Sequence, residues 1–212
     1  MEYRHIEMDT YARRAHFEYF RSLEYPYAGV TVNVDVTEAL GYCRRHGRSF
    51  FLAVLHAAVL AADGVPELRR RIRGGGIVEY AECPTSHIEP TESRAYCYCT
   101  LRHHMALDEY FEQAERARIG CAKNGINEEP EVESMYFISS LPWLHYTSIV
   151  QPAAGGDESN PRITWGRYEQ NEKGRYLMPV SITVHHALAD GAHIARFYEN
   201  LAAELEKYGA YS

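Results

Sequence analysis

Apolar positions recur at helical spacing in six stretches of this chain and alternate with polar ones in several others. Residues 9–23 read as an amphipathic first helix, with Asp9 or Thr10 as its cap. Gly29 to Val36 alternates in the manner of a half-buried strand. Thr37 opens a short helix to about Arg45, and Ser49 opens a longer one, Phe50 to Ala62, apolar on nearly every side. Gly64-Val65-Pro66 ends it, and Pro66 with Glu67 suits the first turn of another short helix through Ile72. Gly74-Gly75-Gly76 is a turn, followed by strands at Ile77–Tyr80 and Ala95–Leu101. A helix follows at 107–122, with Leu107, Tyr110, Phe111, Ala114 and Ala117 on one stripe, then a polar, acidic loop over 124–134.

Strand-like runs come next at Met135–Ser139, Tyr146–Val150 and Arg162–Tyr168, then an apolar strand from Tyr176 to His185. A last helix spans about Ala192 to Tyr208, with Ile194, Phe197, Leu201 and Leu205 inward. Helices cluster in the first half and at the end, strands in the second half. That order predicts an α+β fold, a two-layer sandwich of a mostly antiparallel sheet with helices packed on one side. With no internal repeat and no clear linker, residues 1–212 are expected to form one domain.

Composition narrows the function. The net charge of -7 does not favour long-range attraction to nucleic acid or to an anionic membrane, so neither is expected as a partner. No stretch reaches the roughly 18 apolar residues of a membrane span. Met1-Glu2-Tyr3-Arg4-His5 is polar and lacks a signal-peptide core. A cytoplasmic protein is expected, with Cys43, Cys83, Cys97, Cys99 and Cys121 as free thiols. Arg69-Arg70-Arg71 with Arg73 reads as a solvated helix face or as a holder for a phosphate. No metal is expected: Cys97-x-Cys99 with His103 and His104 lacks a matching second half.

The richest chemistry lies at the end of the apolar strand, in His185-His186-Ala187-Leu188-Ala189-Asp190-Gly191. A histidine held between a strand and a helix suits a general base, because its ordinary pKa of about 6.5 lies near working pH. Taken alone, the run is equally a pair of strand-end histidines followed by an aspartate helix cap. A metal pair at His186 and Asp190 would need continuous helix, which Gly191 and the preceding strand disfavour. A serine-hydrolase elbow is missing.

The run His-His-x-x-x-Asp-Gly before a C-terminal helix resembles the signature of the chloramphenicol acetyltransferase family. The resemblance extends to Tyr11–Glu18, to Phe50–Arg69, to Ile138-Ser139-Ser140-Leu141-Pro142-Trp143 and to Leu177–Val180, in one order along the chain. It implies acetyl-CoA as co-substrate, a small-molecule alcohol acceptor with chloramphenicol the first candidate, and a homotrimer with active sites between subunits. It implies His186 as base, Ser148 as donor to the oxyanion, Thr164 as holder of an ordered water, and Asp190 as an architectural group paired with Arg13 or Arg14. Tyr168 is implied as a wall of the CoA channel. The same resemblance leaves open a family member without turnover that only binds small molecules.

The sequence departs from the family in the acceptor pocket. A tyrosine at the end of the first helix appears as Phe20, without its hydroxyl. A phenylalanine in a Thr-Glu-Thr-Phe-Ser segment appears as Arg94, so a more polar alcohol is a second expectation.

Overall fold

The computed structural model describes residues 1–91, 96–124 and 131–211 of the chain. The elements run β1 (Tyr3–Ile6), α1 (Arg14–Arg21), β2 (Tyr27–Asp35), α2 (Thr37–His46), α3 (Phe50–Asp63), β3 (Arg70–Arg73), β4 (Gly76–Tyr80), β5 (Thr85–Pro90) and β6 (Tyr96–Leu101). They continue with α4 (Leu107–Asn124), β7 (Tyr136–Leu141), β8 (Arg162–Gly166), β9 (Glu169–Gln170), β10 (Tyr176–His185) and α5 (Gly191–Lys207). The main sheet has the order β2-β10-β8-β7-β5-β6, with β9 beside β10; a smaller sheet has the order β1-β4-β3. The expected α+β architecture is present. Within the main sheet β5, β7 and β8 run parallel, and the other pairings are antiparallel.

Period-two alternation gives the main sheet two unlike faces. Register aligns Ile182, Ile163, Ile138, His87 and Cys99 in one buried row across five strands. This face joins α3 and α5 in the core, where Leu52, Leu55, Phe197 and Leu201 are buried. Shifted by one residue, the opposite face carries a row of hydroxyls: Thr31, Ser181, Thr164 and Ser139.

Local chemistry explains the clearest boundaries. Ser49 caps α3 by accepting from Leu52 N at 3.4 Å. Gly47 ends α2 in the left-handed conformation at φ 63°.

Three expectations need correction. The first helix is only Arg14–Arg21; residues 8–13 form successive turns, and neither Asp9 nor Thr10 caps it. The segment after Pro66 is a single 3₁₀ turn, Pro66–Arg69, after which β3 pairs with β4. The Gly74-Gly75 turn, with φ 57° and 82°, returns the chain directly, which requires the extended form. The arginine run is therefore neither a solvated helix face nor an open phosphate holder. Arg71 is fully buried and donates to the carbonyls of Leu68, Arg70, Glu133, Ser134 and Met135. Arg69 donates to the carbonyls of Asp63, Tyr80 and Ala81.

Third, residues 146–150 form no strand. The segment crosses the hydroxyl face instead. Tyr146 Oη donates to the Thr164 carbonyl at 2.9 Å and accepts from Ser181 Oγ at 3.2 Å. Two of the five cysteines are also not free thiols: Cys97 of β6 and Cys121 of α4 form a disulfide, while Cys43, Cys83 and Cys99 are free and buried.

Candidate active site

His186 follows the last residue of β10 and begins a tight turn into α5. Its N–H donates to the Pro26 carbonyl at 2.7 Å, and the N–H groups of Leu188 and Ala189 close onto the His185 carbonyl at 3.0 and 3.2 Å. Ala187 and Leu188 are buried beside Phe17, Ile72 and Ile77, which packs the turn against α1 and the small sheet. The imidazole of His186 lies flat on Phe20, with ring centroids 3.9 Å apart and planes 3° from parallel. Its Nδ1 is buried without a protein hydrogen-bond partner. The arrangement fixes the ring through backbone and stacking, as a base requires. Its neighbour His185 is buried, reaches the Gly156 carbonyl through Nε2 at 3.2 Å, and is pushed below the ordinary histidine pKa by that burial.

Asp190 caps α5. Its Oδ1 accepts from Ala192 N at 3.0 Å, and its Oδ2 pairs with Arg13 Nη1 at 2.8 Å. The choice left open between Arg13 and Arg14 falls to Arg13; Arg14 points away, to Asp9 and Glu18. Arg13 sits at the N-cap position of α1, before regular helix begins. The pair is not deeply buried in this chain, at 26% and 30% side-chain exposure, so it is worth less than the roughly 3–5 kcal/mol of a fully enclosed pair. Burial raises the Asp190 carboxyl pKa, but His193 and Arg13 outweigh it and hold the group below its usual value.

Thr164 lies on the hydroxyl face, fully buried, with Oγ1 unpartnered by protein. Its register partner on β7 is Ser139. Ser139 opens into a cavity of about 510 Å³ whose other walls include Phe51, Ile138, Leu141, Pro142 and Trp143. Glu89 and Arg118 close one side as an ion pair, with His87 Nε2 3.1 Å from Glu89 Oε1. Ser148 does not line this cavity; it is exposed on the irregular segment after Trp143. Ser139 of β7, next to Thr164, does line the cavity.

Tyr168 is half-buried and packs edge-on against Phe50 at the start of α3, with centroids 5.3 Å apart. Arg94 lies outside the described residues. Arg48 pairs with Asp108 at 3.1 Å. Among the described residues no group of three or more His, Cys, Asp or Glu is disposed to hold a metal ion. His103 reaches Thr85 Oγ1 at 3.2 Å, and His104 reaches Asp63 at 2.7 Å.

Comparison with known proteins bears on this geometry. The family model described as chloramphenicol acetyltransferase matches residues 1–202. A chloramphenicol acetyltransferase of Klebsiella sp is 27% identical over 205 residues, covering 94% of this chain and 92% of that protein. One of Streptomyces acrimycini is 28% identical over 218 residues, covering 92% and 91%. A solved chloramphenicol acetyltransferase superposes with a TM-score of 0.83 at 25% identity, covering 96% of this chain and all of the other. A probable dihydrolipoamide acetyltransferase of Listeria monocytogenes, at 14% identity and a TM-score of 0.68, shares the fold over 96% of this chain and 93% of its own. With a family match over nearly its whole length and relatives aligned end to end, this chain belongs to the chloramphenicol acetyltransferase family and is an acyltransferase.

Proposed function

We propose that this acyltransferase moves an acetyl group from acetyl-CoA to a hydroxyl of a small molecule, with chloramphenicol the first acceptor to test. The observation that carries the reading is the His186 imidazole, fixed by the turn after β10 and stacked flat on Phe20. The cavity suits a thioester donor: Phe51, Pro142 and Trp143 offer flat apolar walls to an adenine or a pantetheine arm, and Arg118 adds a cation.

His186 takes the proton of the acceptor hydroxyl as that oxygen attacks the thioester carbonyl. The tetrahedral oxyanion accepts a hydrogen bond from Ser148, as the family resemblance implies. Thr164 Oγ1 orients a water beside it. The carbon–sulfur bond then breaks, and the CoA thiolate receives the proton from His186. No acyl-enzyme is needed. Asp190, with Arg13, keeps the turn of His186 in place, and Phe20 holds the ring by stacking. Tyr168, with Phe50, flanks the donor channel.

The assembly that fits this reading is a homotrimer in which His186 of one subunit faces the cavity of the next. The exposed Trp143 of the cavity wall, at 75%, supports an interface there. The protein acts in the cytoplasm on this reading, where acetyl-CoA is made and used.

A thiol-release assay with acetyl-CoA and a panel of alcohols, chloramphenicol first, tests the proposal. Release with one of these acceptors, lost in His186→Ala, supports it. No release with any acceptor sinks it. Sedimentation of the active species as a monomer would remove the trimer.

A further inference from the structure

The carboxylate of Asp190, held by Arg13 and by the Ala192 N–H, has a second side-chain partner. Oδ1 lies 2.8 Å from His193 Nδ1, on the first turn of α5. The same nitrogen lies 3.1 Å from the Asp190 backbone N, which closes a reciprocal cap. Either tautomer of His193 is useful here: with a proton Nδ1 donates to the carboxylate, and without one it accepts from the N–H.

The far edge of the same ring faces another element. His193 Nε2 is 3.7 Å from Glu67 Oε2, on the 3₁₀ turn after α3. Glu67 Oε1 pairs with Arg70 Nη1 at 3.0 Å, Arg70 Nε with Glu79 Oε2 at 2.9 Å, and Glu79 Oε1 with Arg4 Nη2 at 2.8 Å. Paired polar side chains thus run from Arg13 and Asp190 through His193 into β3, β4 and β1. Most of the links are shielded: side-chain exposure is 16% for His193, 17% for Glu67, 13% for Arg70 and 6% for Glu79. Shielded pairs in a network are held more firmly than isolated surface pairs.

The turn from His186 to Asp190 is fixed at its start by the Pro26 carbonyl and by Phe20, and along its length by apolar packing. Its far end depends on Asp190. Arg13 holds Oδ2, and the Ala192 N–H and the His193 ring hold Oδ1; of these ligands the His193 ring is the one that links the carboxylate on to Glu67 and the small sheet.

We propose that His193, backed by Glu67, is a positioning residue for His186: it locks the Asp190 end of the turn to the three-stranded sheet. The small sheet, which contributes nothing to the cavity beside Ser139, then serves as the anchor of the base. This inference rests on the reading of His186 as the base.

Steady-state kinetics on His193→Ala, His193→Asn and His193→Gln tests it, joined by NMR of the His186 imidazole assigned through its loss in His186→Ala. Asparagine restores a donor near Nδ1, and glutamine near Nε2. The expected result for His193→Ala is a kcat lowered about ten- to hundredfold, with KM for both substrates within about twofold. Asparagine recovers most of it and glutamine does not. The His186 ring signals shift or broaden in His193→Ala, and less so in Glu67→Ala. Unchanged kcat with unmoved ring signals in His193→Ala overturns the proposal, as does an Asn variant no better than Ala. Should the wild type release no thiol with any acceptor, the reading of the base fails, and the ring signals still decide whether His193 holds the turn.

Discussion

His56 stands in the middle of α3, buried among apolar neighbours, and makes the fold sensitive to acid. Its Nδ1 meets Tyr208 Oη at 3.3 Å, its ring lies 4.5 Å from that of Tyr110, and its Nε2 has no protein partner. Burial, with smaller contributions from His104 and Lys207, pushes its pKa from 6.5 down to about 4. The folded state holds this imidazole neutral, whereas the unfolded chain protonates it as soon as pH falls below about 6.5. Between the two values the unfolded state binds more protons, so stability falls as pH falls. A group shifted by this amount costs about 2.5 kcal/mol between about pH 7.5 and about pH 4.5. His103 is fully enclosed and pushed in the same direction by burial, and it adds to the loss. Carboxylates held low by arginines, such as Glu79 and Glu89, add theirs at lower pH.

The perturbation is His56→Gln, which does not titrate and keeps a polar tip near Tyr208. Urea unfolding of both proteins at one fixed concentration, across that pH range, isolates the His56 share by subtraction. The variant is expected to lose about 2.5 kcal/mol less than the wild type on acidification, whatever its stability near neutral pH. Parallel stability profiles, differing by less than about 1 kcal/mol over the range, would refute the reasoning.

Three further outcomes follow from the geometry. Ser148→Ala is expected to lower kcat by about a hundred- to a thousandfold with a modest change in KM in the acetyl-transfer assay, as loss of one oxyanion donor does. Gly166→Ala would set a methyl 2.5 Å from the Leu144 carbonyl and 3.0 Å from both Pro179 and Tyr146. It should push the segment carrying Trp143 off the sheet, raising KM for acetyl-CoA and costing about 1–3 kcal/mol in calorimetry. Cys121→Ser opens the cross-link to Cys97, 24 residues away in sequence, and should lower stability by about 3 kcal/mol; mass spectrometry of the unreduced wild-type protein would find the bond intact.

The parts of the fold that could be read from the sequence are those whose local pattern and tertiary role agree. α3 is apolar on nearly every side because it is buried on nearly every side. β10 is apolar because it is a central strand with neighbours on both edges. β5 escaped notice for the converse reason. Its buried positions are Thr85, Ser86, His87 and Glu89, all polar, with Thr85, His87 and Glu89 partnered by His103, Arg118 and each other, so no hydrophobic alternation marks the strand. Residues 146–150 misled in the other direction: Tyr146, Thr147, Ile149 and Val150 are aromatic and β-branched residues of the kind strands favour, yet the segment lies across the sheet face, held by Tyr146 and by the space that Gly166 leaves.

By itself the sequence determined the family, the acyl-transfer chemistry and the turn that bears His186, because each depends on residues close together in the chain or on whole-length similarity. Only the tertiary structure decided which arginine meets Asp190. Arg13 and Arg14 are adjacent in sequence, but the late start of α1 sends one toward α5 and the other to solvent. It also decided which serine stands beside Thr164, because strand register cannot be deduced from spacing across a loop: Ser139 shares a row with Thr164, and Ser148 lies beyond the turn.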